Sequence, residues 1–275
     1  MRLVDTARPG PLVFSSPHSG RHYPGTLLRQ VRLPVRALRQ GEDRHVDRLI
    51  EGVDAVHVPR VLAMFARAYV DLNRDPRELD PVLFDAPVPL ARASERVSAG
   101  LGVIPRAFAP GQAIYAARLP LAEAETRIAA VHVPYHDAIA RLLERARAIH
   151  GYAVLIDCHS TPSLAGAPRV ILGDLHGRSA GARVADAAAA ALVDVGLSVA
   201  RNVPYAGAYT LERHGRPLQG IHALQIEIDR ALYLDSDRLT LLPGATLLAA
   251  RLTRFAVQLR GGLEGLAGTF AVAAE

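Results

Sequence analysis

His18 and His159 are the residues around which chemistry can be built. Each follows an apolar run of strand type: Pro11–Pro17 (PLVFSSP) leads into His18, and YAVLI from Tyr152 leads into Asp157, Cys158 and His159. In an open α/β sheet, ligands bind beyond the carboxyl ends of the strands. Two histidines delivered there suggest one shared metal site. Neutral imidazole is the commonest protein metal ligand, and a catalytic zinc takes three protein ligands and keeps one position for water. The third ligand should be another histidine or a carboxylate. Asp43, in GEDRHVDRL, is the first choice, because it is expected to open a helix whose dipole favours a carboxylate. Glu42 is adjacent, and Asp47 lies one turn later on the same face. The competing role for Asp43 is a helix cap; for each histidine it is a hydrogen-bonded structural residue.

Other residue types in these segments have chemistry of their own. Asp157 shares a strand face with His159 and could orient it as a metal ligand. Cys158 points to the opposite face, which disfavours a Cys–His nucleophile and reads as a small core residue. In YVDLNRDP, an expected strand delivers Asp71, Asn73 and Arg74 to its end. Arginine grips carboxylates in two-pronged fashion, so Arg74 points to a substrate bearing a carboxylate; the alternative is a structural pair with Asp71 or Asp75. In GIHALQIEIDR, alternation puts Ala223, Gln225, Glu227 and Asp229 on one face. A glutamate between isoleucines in a strand is unusual. Partial desolvation would raise its pKa towards a value useful for proton transfer, which makes Glu227 the candidate general base and Gln225 a polar contact. The alternative is an edge-strand glutamate facing water. His222 is open between core, ligand and substrate contact.

These residues need a frame to hold them. Strand candidates are Leu12–Ser16, Ala55–Val58, Ala68–Leu72, Ala153–Asp157, Arg169–Leu172 and Ala223–Ile228. They are short, apolar and rich in Val, Ile and Leu, as strands buried on both faces should be. Helical patterns cover Asp43–Glu51, Leu121–His150 (kinked or split by Pro134), Ser179–Val195 and Asp237–Arg260, the last with a break at Pro243-Gly244. Strands alternating with helices predict an α/β sandwich with a largely parallel sheet, in a single domain over 1–275. The proline-rich stretch Pro76–Pro110 reads as a loop excursion near the site, either a lid or a plain surface insertion. Half of the 275 residues are hydrophobic and 21% are charged, enough for a sizeable core. The formal charge is +5, but the basic residues are all arginine and dispersed, and aromatics are 5% without tryptophan. That argues against nucleic acid as a partner. No stretch approaches the roughly 20 apolar residues that span a bilayer. With a single cysteine and no signal-like start, a cytoplasmic protein is expected.

Taken in order, PHSG, GEDRHVDRL, YVDLNR, VPYH, DCHS and IHALQIEI resemble the N-formylglutamate amidohydrolases over about Pro11 to Leu234. That family is related to zinc carboxypeptidases and to the aspartoacylase and succinylglutamate desuccinylase group. The resemblance implies their sheet-centred fold, a three-layer α/β/α sandwich with a mixed, largely parallel central sheet, and one zinc ion per chain, although other divalent metals suit a His/His/Asp site. By motif, His18 and His159 match the two zinc histidines, Arg74 an arginine that binds a substrate carboxylate, and Glu227 the glutamate that activates water. The wider superfamily has a glutamate three residues after the first histidine; here that position is Arg21, and Asp43 is the replacement ligand. The expectation is therefore hydrolysis of the formyl amide of N-formyl-L-glutamate, or of a close N-acyl amino acid. Arg74 and Asn73 would meet the substrate, with Gln225 as a further contact and Arg178 or Arg216 on its second carboxylate. The rivals are a zinc amidase acting on another acyl amino acid or a cell-wall peptide, and a metal-binding protein that has lost catalysis.

Overall fold

A computed structural model describes residues 1–89, 91–108, 111–163, 166 and 168–265. The strands are β1 (Arg2–Val4), β2 (Leu12–Ser16), β3 (Arg60–Leu62), β4 (Ala153–Thr161), β5 (Val170–Gly173), β6 (Val199–Arg201), β7 (Ile221–Asp229), β8 (Leu234–Asp235) and β9 (Thr240–Leu241). The helices are α1 (Gly25–Gln30), α2 (Val35–Leu38), α3 (Val46–Leu49), α4 (Glu95–Ser98), α5 (Leu121–Arg127), α6 (Val133–His150), α7 (Ala182–Asp194), α8 (Tyr209–His214) and α9 (Gly244–Glu264). The fold is α/β, with a mixed, largely parallel central sheet and flanking helices, as the sequence predicts.

The chain forms two compact units. The first is Met1–Arg2, Pro17–Asp43 and Leu62–Asp137; the second is Leu3–Ser16, Arg44–Val61 and the described residues from Ala138 on. The second unit carries the sheet, in the order β1-β3-β2-β4-β7-β5-β6. β2, β4 and β7 run parallel, β5 runs antiparallel to β7, and β6 is parallel to β5. Every residue of β2 and β4 is buried, which requires cover on both faces and explains their unbroken apolar character. α9 supplies cover on one face: Leu248, Leu252, Phe255, Leu259 and Leu263 recur at helical spacing and are buried. The Phe255 ring lies 6.4 Å from that of Phe14 on β2.

The first unit is built from turns and short helices. α5 passes through a π-helical turn, Ile128–His132, into α6. Pro134, the second residue of α6, has no N–H to give, and the expected split occurs just before it. The described residues of the proline-rich excursion belong to this unit; Leu90, Ala109 and Pro110 lie outside the described residues. Leu83, Phe84, Val97, Val103 and Ile104 are buried. Arg77 and Arg92 pair with Asp75 at 2.6 and 2.9 Å, and Arg106 with Asp80 at 2.7 Å.

Four sequence expectations are corrected. Ala55–Val58 is not a strand: Glu51–Val56 forms a 3-10 helix that ends at His57 with φ 61°, and the strand follows at Arg60–Leu62. An apolar run that short does not distinguish the two forms. Ala68–Leu72 is a series of turns, because the Asp71 carboxylate takes the Asn73 N–H and offers the backbone an alternative to a ladder. The helix expected over Asp43–Glu51 is only Val46–Leu49 and begins after His45, so Asp43 neither opens nor caps it. The segment from Asp237 first completes the β8–β9 pair, and α9 starts at Gly244 behind Pro243.

Candidate functional site

In the first unit, the PHSG turn continues directly from β2. Its backbone is fixed by contacts to Met64–Ala66: His22 N donates to Met64 O at 2.9 Å, and Ala66 N to His22 O at 3.0 Å. Gly20 lies so close that a Cβ there would sit 2.0 Å from the Phe65 carbonyl oxygen. His18 is buried. Its main-chain oxygen accepts from Asp43 N at 2.9 Å, and its Nδ1 is 3.4 Å from Asp43 Oδ2. Its other ring nitrogen, Nε2, donates to Asp71 Oδ1 at 2.7 Å. Asp43 thus reaches His18 through a backbone turn rather than from a helix end.

Asp71 is a hub. It also accepts from Asn73 N at 2.9 Å and from Arg67 Nε at 2.9 Å. Burial opposes its charge, yet Arg67, His18 and Arg74 hold its carboxyl well below the usual range. Arg74 is buried, with Nε donating to Leu101 O at 2.9 Å and Nη1 to Asn73 O at 2.7 Å. Its nearest carboxylate atom is Asp71 Oδ2 at 3.9 Å. Burial lowers its pKa to about 10, which leaves it charged at neutral pH. His136 Nε2 donates to Leu72 O at 2.8 Å and His132 Nε2 to Arg74 O at 2.9 Å. The histidines of VPYH and of the π turn before it therefore hold the turn that carries Asn73 and Arg74.

In the second unit, strand register does the positioning. Ser15 pairs with Asp157, Asp157 with Gln225, and His159 with Glu227. These five residues therefore share one sheet face. Asp157 accepts from Ser15 Oγ at 2.5 Å and from His159 Nε2 at 2.9 Å. Gln225 Nε2 donates to Glu227 Oε1 at 3.0 Å. Asp157, His159 and Gln225 are buried and Glu227 is half-buried. β4 continues to Thr161, so His159 stands within the strand rather than past its end. Each histidine thus has Nε2 held by a buried carboxylate, and a metal on either ring would be met by Nδ1.

The remaining candidates fall elsewhere. Cys158 is buried on the opposite face and burial pushes its thiol pKa well up, so it is no nucleophile. His222 is also on that face, where its Nδ1 accepts from Gly181 N at 3.1 Å; it is a core residue at the start of α7. Arg178 and Arg216 are exposed. Arg178 Nε donates to Leu175 O at 3.0 Å, and Arg216 Nη2 pairs with Glu144 at 2.7 Å. Sequence reasoning missed Asp71 as the partner of His18 and Ser15 as a partner of Asp157. The only signal was that a polar residue ended each apolar run.

Comparison with known proteins finds one family. The family model described as N-formylglutamate amidohydrolase matches residues 10–234. The N-formylglutamate deformylase of Pseudomonas aeruginosa is 31% identical over 238 residues, covering 82% of this chain and 83% of that protein. The N-formylglutamate deformylase of Pseudomonas putida is 27% identical over 234 residues, covering 82% of each. The crystal structure of N-formylglutamate amidohydrolase from Ralstonia eutropha JMP134 superposes with a TM-score of 0.88 at 32% identity, over 96% of this chain and 97% of that one. The gene product Atu2144 from Agrobacterium tumefaciens shares the fold, with a TM-score of 0.59 at 21% identity over 96% and 95% of the two chains.

Proposed function

The chain belongs to the N-formylglutamate amidohydrolase family, and on that premise we propose that it hydrolyses the formyl amide of N-formyl-L-glutamate to formate and glutamate at a divalent metal, zinc in the first instance. The observation that carries the reading is the rung of β4 and β7 that sets His159 beside Glu227. His18, Asp43 and His159 are buried, each offers one ligand atom, and among the described residues they form a group that could hold an ion. The donor set fits zinc: two imidazoles whose other nitrogens are engaged by carboxylates, and one carboxylate oxygen. Bound there, the metal would polarise the formyl carbonyl and lower the pKa of a water molecule.

The protein's own groups do the rest. Glu227 takes the proton of the attacking water and delivers it to the leaving nitrogen, while Gln225 keeps the Glu227 carboxylate oriented through its hydrogen bond. Asp71 and Asp157 fix the two imidazole rings. Arg74, charged and rigidly held by main-chain carbonyls, clamps a substrate carboxylate, with Asn73 beside it.

Formate release from N-formyl-L-glutamate, before and after chelation and zinc restoration, tests this function. Metal-dependent release is expected, and Glu227→Gln should lower kcat by about two to four orders of magnitude while bound zinc is retained. A chain that holds zinc and releases no formate would sink the formylglutamate assignment.

A further inference from the structure

The face that carries His159 and Glu227 continues for one more inward position on each strand. Two residues beyond His159, and on the same face, is Thr161, paired in register with Asp229. Thr161 is buried, and its hydroxyl donates to Tyr205 Oη at 3.2 Å. Tyr205 comes from the segment after β6, which is closely seated on the sheet. Leu175 N donates to Ala206 O at 2.8 Å, and a Cβ at Gly173 would lie 2.6 Å from that same oxygen. Gly207, at φ +117°, turns the chain away with a conformation that side-chain-bearing residues rarely adopt. The backbone is thus closely fixed while the Tyr205 side chain remains 36% exposed. An exposed ring whose only polar atom reaches inward to the active face is a handle for a ligand rather than a core residue.

We propose that Tyr205 is a substrate-binding residue that donates its phenolic O–H to a carboxylate of the amino-acid substrate; this rests on the function proposed above. With Oη accepting from the Thr161 hydroxyl at 3.2 Å, the shorter of that hydroxyl's two contacts (the other is Pro162 O at 3.4 Å), its own proton is available to an anionic acceptor. Two residues along a strand span about 6.6 Å. That separation from the His159–Glu227 rung is too long for the scissile carbonyl. It suits a carboxylate at the far end of a short acidic amino acid whose amide is at the rung. Of the arginines that the sequence offered for this second carboxylate, Arg216 is paired with Glu144 and Arg178 donates Nε to Leu175 O.

The test compares wild type, Tyr205→Phe and Thr161→Val against N-formyl-L-glutamate and N-formyl-L-norvaline, which has a similar chain length but no side-chain carboxylate. Calorimetric binding and steady-state turnover are both measured. Tyr205→Phe should weaken binding of the glutamate compound and raise its KM by about tenfold, with kcat little changed and the norvaline compound unaffected. Thr161→Val should give a smaller shift in the same direction. Equal loss on both compounds, or no loss on either, overturns the proposal. If wild type binds N-formyl-L-glutamate in a Tyr205-dependent way without releasing formate, the hydrolytic assignment falls and Tyr205 stands as a carboxylate contact. If wild type binds neither compound, both readings fall.

Discussion

At the scale of single residues, both candidate histidine ligands are built the same way. His18 gives Nε2 to Asp71, and His159 gives Nε2 to Asp157, so the rings are fixed in tautomer and direction before any ligand binds. Asp71 is the more heavily used carboxylate, since Arg67 and the Asn73 backbone also rest on it. Asp71→Asn keeps the shape but loses the charge. Competitive chelator titration should show zinc affinity lowered by about 10–100-fold, with an unchanged circular dichroism spectrum; unaltered affinity would deny Asp71 this positioning role. The placement of the two histidines and Glu227 was legible because each follows or lies within an apolar run that forms a strand buried on both faces. Asp71 was not legible as a histidine partner: its role depends on a turn that its own side chain creates, and periodicity does not register such a turn.

At the scale of elements, the parallel strands were read correctly because both their faces are buried. The shorter runs at Ala55–Val58 and Ala68–Leu72 misled because local hydrogen bonds decided them. The junction of β7 with α7 makes a prediction about acid. His222 accepts the Gly181 N–H just before α7 begins, which requires the neutral ring. Burial lowers its pKa from 6.5 to about 4. The unfolded chain therefore takes up this proton first as pH falls. The stability linked to His222 is present above the unfolded value of 6.5 and is lost progressively as pH falls towards 4. At pH 5 the loss is roughly 2 kcal/mol. Denaturant unfolding at pH 7 and pH 5 should show a smaller acid loss in His222→Asn than in wild type; equal losses would show that the junction is not sensitive to acid in this way.

At the scale of the whole molecule, the formal charge of +5 does not mark a nucleic-acid surface. With every basic residue an arginine and no dense cluster, it fits better as a diffuse field that favours small anions. For a dianionic substrate, kcat/KM should fall as salt rises from low to physiological ionic strength, whereas a neutral N-formyl amino acid amide should show no such trend. Identical salt responses would remove any role for the field. Among the described residues no helix is long and apolar enough to cross a membrane.

The register that aligns Ser15 with Asp157 joins positions 142 residues apart, and this has a consequence for synthesis. A ribosome adding about 5–20 residues per second needs roughly 7–30 s to make that interval. Throughout it the β2 edge that β4 will cover stays unpaired, while β3, made early, can cover the other edge. His18 and Asp43 are made early and His159 only at the end of this interval, so the proposed metal ligand set stays incomplete until β4 emerges. A chaperone that shields this edge of β2 until β4 emerges would therefore raise the yield of folded chain.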